Sequence, residues 1–207
     1  MKIQSITQKE GKRRIYFILT LEDGRELVLS EEVVTNHYLY PGKDLEEALV
    51  ISLVEEDSKS KVRRRAVRLL DYRAMSSGEM VEKLVEKGEE RDQAEDAAQW
   101  LVEVGLLDDA SYAENLVQHY AVVKGFGKRR IEQELWRRKI DKSFWENALA
   151  TIPEDAGEDA VLAFIERKLR GENPDQREEK RVVDALMRRG YSWDEIRSGI
   201  RAYKEQF

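Results

Sequence analysis

The chain has no cysteine, only three prolines and two histidines, and no long apolar run. Without cysteine there is neither a disulfide nor a thiolate metal site, which suits a reducing compartment and makes a cytoplasmic location the expectation. The longest apolar stretch, residues 48–54 with Ser52 inside it, falls far short of the ~20 residues of a membrane span. Lys9, Glu10, Lys12 and Arg13 interrupt the first fifteen residues, so no signal peptide is expected. His37 and His119 have no sequence neighbours at metal-ligand spacing, and no metal or other cofactor is expected. A phosphate-cradling G-x-x-x-x-G-K-[ST] loop is missing as well, because Gly127-Lys128 is followed by Arg129. Gly125-Phe126-Gly127 reads as a flexible helix-to-helix connection. Charge of one sign is also lacking: 36 Lys+Arg face 42 Asp+Glu, a net of -6. That excludes a generally basic nucleic-acid protein, and carboxylates mixed with bases, as in Glu82, Lys83, Glu86 and Lys87, read as solvated helix surface.

What is present changes character along the chain. Ile15, Phe17, Leu19 and Leu21 alternate, Glu22-Asp23-Gly24-Arg25 supplies a turn, and Glu26-Leu27-Val28-Leu29 resumes the extended pattern. With a third strand from residues 2–7 this predicts a small antiparallel sheet, then a helical turn over 31–37 and a close at Pro41-Gly42. From Asp44 onward the period is helical. Leu45, Ala48, Leu49 and Ser52 predict a short helix that the polar run 55–61 separates from the next, which carries Val62, Ala66, Leu69 and Leu70.

A shift of 51 residues sets the architecture. It places Met80, Leu84, Gly88, Ala94, Ala97, Ala98 and Leu101 beside Ile131, Leu135, Lys139, Trp145, Ala148, Leu149 and Ile152. A second shift reaches Val182, Leu186, Gly190, Ile196, Gly199, Ile200 and Tyr203. Each copy carries three helical patterns, so the chain reads as mainly α: a tandem, elongated and curved array of three three-helix repeats behind the small sheet. The boundaries fall at 1–55 for the sheet with a connecting helix, then 56–108, 109–153 and 154–207. Ser76-x-x-Glu79 and Ser192-x-x-Glu195 are capping boxes, and Asp141 is an N-cap. Gly88 and Gly190 stand where a helix end needs positive φ, whereas Lys139 in the middle copy predicts a poorer cap. Such arrays expose long surfaces suited to a long partner.

Charge is distributed by copy. Only the middle copy is basic, with 8 basic and 6 acidic residues over 109–153. Within 124–142, Lys124, Lys128, Arg129, Arg130, Arg137, Arg138, Lys139 and Lys142 face only Glu132, Glu134 and Asp141. Arg130, Arg137 and Arg138 share one helical side. Lys61, Arg63, Arg64, Arg65 and Arg68 form a second cluster. Both are candidate surfaces for phosphates or an acidic protein. Trp100, Trp136, Trp145 and Trp193 read mainly as packing residues.

The residues also carry a resemblance. Leu69-Leu70-Asp71-Tyr72-Arg73, Ser76, Glu79, Leu84, Lys87-Gly88, Gly105-Leu106-Leu107-Asp108-Asp109, Tyr112-Ala113, Gly127-Lys128-Arg129-Arg130-Ile131 and Glu134-Leu135 resemble the RecX family of regulatory proteins. So do Leu186, Arg188-Arg189-Gly190-Tyr191-Ser192 and Ile196, and the likeness covers residues 62 to 203. It implies tandem three-helix repeats that lodge in the RecA filament groove and inhibit strand exchange, ATP hydrolysis and coprotease function, without catalytic residues. The chain departs from the family pattern at Ala74, where proline is common, and at Lys139-Ile140, where glycine is usual. The expected partners are the RecA filament and, weakly, single- or double-stranded DNA, with no membrane, and the protein is expected to be a monomer. The alternative is a stand-alone helix-turn-helix-like DNA-binding protein; against it stand the net negative charge and the lack of a helix rich in Asn, Gln and Arg. A third reading is a carboxylate-dependent nuclease.

Overall fold

The computed structural model describes residues 1–11, 14–153, 155–170 and 174–206. Lys12, Arg13 and Glu154, the last of which opens the third predicted copy, lie outside them. Three strands, β1 (Ile3–Gly11), β2 (Arg14–Leu21) and β3 (Glu26–Ser30), form an antiparallel sheet in the order β1-β2-β3. Ile18 stands opposite Thr7 on one side and Val28 on the other. Gly24, at φ 86°, turns the second hairpin, where the Leu21 amide donates to the Arg25 carbonyl at 2.9 Å. The alternation holds, with Leu19, Leu21, Leu27 and Leu29 on one buried face. That face packs on Val33 of α1 (Glu31–Asn36) and on Val50 and Leu53 of α2 (Glu47–Leu70).

The expected break over 55–61 does not exist. α2 runs unbroken for 24 residues, about 36 Å at 1.5 Å per residue, and the boundary at 55/56 falls inside it. No Gly or Pro interrupts the run, and its one buried member, Asp57, has its partners supplied. The carboxylate accepts from the Ser30 amide at 2.8 Å and meets Lys61 Nζ at 2.6 Å. One rod therefore serves the sheet with its first half and the first repeat with its second.

Three helical copies follow. The first joins α2 to α3 (Ser77–Glu86) and α4 (Arg91–Glu103). The second holds α5 (Asp109–Gln118), continued by a π-helical turn (His119–Val123), then α6 (Lys128–Arg137) and α7 (Trp145–Ala150), which a 3-10 turn (Lys142–Phe144) leads into. The third holds α8 (Ala156–Leu169), α9 (Gln176–Arg188) and α10 (Trp193–Lys204). Each copy closes its own core, and the 51-residue correspondence is physical: Met80, Ile131 and Val182 are buried, as are Leu84, Leu135 and Leu186. The molecule exposes 13279 Å², against ~10,000 Å² for a compact monomer of this mass. The copies are thus strung out rather than gathered round one core.

Candidate partner-binding surface

Two joints fix how the copies present their charges, and they are one joint repeated. Ser76 Oγ, at the N-cap of α3, donates to the Arg138 carbonyl at the end of α6. Fifty-one residues on, the Gly127 amide at the N-cap of α6 donates to the Arg189 carbonyl at the end of α9, at 2.9 Å. The Arg129 amide donates to the Gly190 carbonyl at 3.3 Å, and its counterpart Gly78 lies against the carbonyl of Lys139. Amides and carbonyls orphaned at helix ends thus satisfy one another, and opposite ends of the helix dipoles meet. The second helices of the three copies stand end to end. Small residues are required here: a Cβ on Gly127 would sit 2.5 Å from the Gly190 backbone.

Side chains lock the same joints. Buried Asp109 accepts from the Ser77 amide at 2.7 Å and from Ser77 Oγ at 2.5 Å. Arg189 donates to the Lys124 and Gly125 carbonyls at 2.8 and 3.1 Å while its guanidinium lies against the Phe164 and Phe126 rings. Arg138, its counterpart, sits 3.8 Å from Glu79 and 3.4 Å from Tyr112 Oη. Burial pushes the Tyr112 hydroxyl above its ordinary pKa, with Arg138 pulling the other way. Burial also raises Tyr191, beside the second joint, to about 12. Phe126 stacks on Tyr120 at 5.6 Å, so Gly125-Phe126-Gly127 is a packed connection and not the flexible one expected.

Within this frame the predicted basic residues divide. Arg130 and Arg137 converge on the buried carboxylate of Glu134, at 2.8 and 3.2 Å, so the shared helical side is real but engaged. Glu79 takes Arg73 and stands by Arg138, and its hydrogen bond raises the Arg73 pKa further. The Ser76 box is therefore half formed, whereas the Ser192 box is complete and Asp175 with Glu178 makes another. Together Arg73, Glu79, Arg130, Glu134, Arg137 and Arg138 line an open groove of about 560 Å³ across the first joint. Lys139 adopts φ 55° and places Nζ 5.6 Å from the Trp136 ring, which is itself exposed. Lys124, Lys128 and Arg129 are exposed and have no side-chain partner among the described residues.

The second cluster lies on α2. Arg64 pairs with Glu32 at 3.0 Å, and Arg65 pairs with Glu89 while donating to the Lys87 carbonyl at 3.3 Å. Lys87 lies 51 residues before Arg138, so Arg65 caps the acceptor for which no preceding copy exists. Arg68 is exposed without a partner among the described residues. His37 meets Glu56 at 2.7 Å, and His119 is exposed beside Tyr120. Charge counting had missed Asp109 and Arg189; the small residues at 78, 127 and 190 were the one available signal for the joints. Among the described residues, no helix is long and apolar enough to cross a membrane.

Comparison with known proteins matches three family models, described as the first, second and third three-helix domains of RecX, to residues 63–101, 108–149 and 156–200. The regulatory protein RecX of Vibrio parahaemolyticus is 40% identical over 132 residues, covering 63% of this chain and 84% of its own. That of Clostridium tetani is 23% identical over 205 residues, 95% and 93% of the two chains. A crystal structure of regulatory protein RecX superposes with a TM-score of 0.73 at 24% identity, covering 95% of this chain and 98% of that one. One of RecX from Lactobacillus salivarius gives 0.65 at 21% identity, over 72% and 98%.

Proposed function

Because the chain belongs to the RecX family of regulatory proteins, we propose that it binds the RecA–DNA filament and inhibits its recombinase, ATPase and coprotease activities, with no catalysis of its own. The observation that carries this reading is the string of three copies held by one repeated joint, with Lys124, Lys128 and Arg129 unengaged beside the second joint. A long surface with free cations near its middle and acidic stretches towards both ends suits a nucleoprotein with phosphates inside and protein outside. Arg130, Arg137 and Arg138 support that surface mainly by ordering it, since each already faces a carboxylate.

The test is RecA's DNA-dependent ATPase with this protein added at substoichiometric amounts. The rate is expected to fall, and an unchanged rate sinks the reading. Lys128→Glu with Arg129→Glu, both on exposed side chains, is expected to weaken inhibition roughly tenfold at low salt with the helical circular dichroism unchanged. Inhibition as strong as the parent's at matched salt removes these two residues from the surface.

A further inference from the structure

The two joints share a backbone arrangement but are fastened differently. At the first, the leading copy grips the second at two separate helix ends. Ser76 Oγ reaches the Arg138 carbonyl at the end of α6, and Ser77 reaches the Asp109 carboxylate at the start of α5. Glu79 adds an ion pair to Arg138 at 3.8 Å. Anchors on two different helices oppose rotation about either one. Fifty-one residues on, every one of these side chains has changed: Gly127 stands for Ser76, Lys128 for Ser77, Arg130 for Glu79 and Ala160 for Asp109. The Gly127 and Arg129 amides and the Lys124 and Gly125 carbonyls all bond to residues 189 and 190, at the end of α9. Among the described residues α8 makes no side-chain hydrogen bond or ion pair to the second copy; its Ala160 methyl faces Gly125, where an added Cβ would lie 3.8 Å away.

We propose that the second joint is a hinge: the third copy turns as a rigid body about the end of α9, with Arg189 as the catch, while the first two copies move as one. Three further properties favour this. Arg130 does not pair with Arg189 as Glu79 pairs with Arg138; the two guanidiniums lie on the same Phe126 ring, 5.7 and 5.8 Å from its centroid, and like charges so placed favour separation. The carbonyls that hold Arg189 follow directly on the π-helical turn (His119–Val123), and Gly125 stands at φ 59°. Irregular helical turns of this kind recur at functional sites, and hinges absorb their motion in a few residues at element ends. A cleft of about 150 Å³ lies beside the joint, between Phe126, Ile152 and Pro153 on one side and Tyr191 and Glu195 on the other, so the third copy has room to tilt. The hinge is a property of the chain alone and goes beyond the reading above.

The experiment uses the full chain by itself, so that it fails separately from the ATPase test. Because the sequence has no cysteine, pairs of introduced cysteines carry nitroxide labels without background, and double electron-electron resonance reads the distances between them. Gln99→Cys with Glu146→Cys spans the first joint, and Glu146→Cys with Ser198→Cys spans the second; all three positions are exposed. The second distribution is expected to be about twice as broad as the first. Arg189→Ala should broaden the second further and leave the first unchanged. Lys128→Ser with Ala160→Asp, which copies the Ser77–Asp109 fastening into the second joint, should narrow the second towards the first. Circular dichroism checks that the variants keep their helices, and the comparison of the two pairs in the otherwise unaltered chain decides the matter even where a variant does not fold. Equal widths for the two pairs overturn the hinge. So does an Arg189→Ala effect shared equally by both pairs, which marks general loosening, and so does a second distribution that neither variant changes.

Discussion

Asp57 shows how one side chain can join two parts of the chain. Its carboxylate is buried; burial acts to raise its pKa, but Lys61 and the Ser30 amide outweigh that and hold it below its ordinary 3.8. A lowered folded-state pKa means stability that is complete above the unfolded value and lost as pH falls through the folded one. Asp57→Asn removes the charge and leaves an amide facing an ammonium. It is expected to cost about 1–3 kcal/mol at pH 7, as read by urea denaturation. The gap from the parent should narrow progressively below pH 3.8, and a gap that stays constant into acid would show that the charge contributes nothing. Asp57 also explains the misreading of residues 55–61. Its partner Ser30 is 27 positions away, so a local pattern of consecutive acids looked like a helix end. Lys139 misled in the opposite sense: it takes the left-handed turn that Gly88 and Gly190 take, and the Ile140 amide still donates to Leu135 as Glu89 does to Leu84.

At the scale of elements, the helices and their period were legible because each copy buries the same positions, and an apolar residue in a core leaves a mark in the sequence. The joints were less so, because beside the side chains of Ser76, Asp109 and Arg189 they use backbone amides and carbonyls that every residue possesses. A need for smallness at 78, 127 and 190 also records them. Gly127→Ala should therefore act out of proportion to its size. Overpacking against the Gly190 backbone is expected to cost about 1–3 kcal/mol and to separate the third copy from the second. Limited proteolysis near residues 124–127 and the urea midpoint would register it, and unchanged values of both would mean the joint yields at no cost. The candidate surface was half legible for a similar reason. Counting charges found the 124–142 excess, but Glu79, which engages Arg138, is 59 positions earlier in the chain.

For the whole molecule, the two outer helix ends of the array are met by other groups. Arg65 occupies the first acceptor turn, and α9 begins three residues before the 51-residue shift would place it, closed by its own Asp175–Glu178 box. The three joined copies should be long. Small-angle scattering is expected to give a radius of gyration well above the ~17 Å of a compact chain of this length; a value near that figure would contradict the strung-out arrangement. The joint also runs against the direction of synthesis. Ser76 needs the carbonyl of a residue 62 positions later, and the Lys124 carbonyl needs an arginine 65 positions later. On the ribosome each of the first two copies is expected to close its core first and to hold its docking end unmated for roughly 3–13 s at 5–20 residues per second. Assembly therefore zips from the amino terminus, and a pause in translation within the second copy would leave the first folded but undocked.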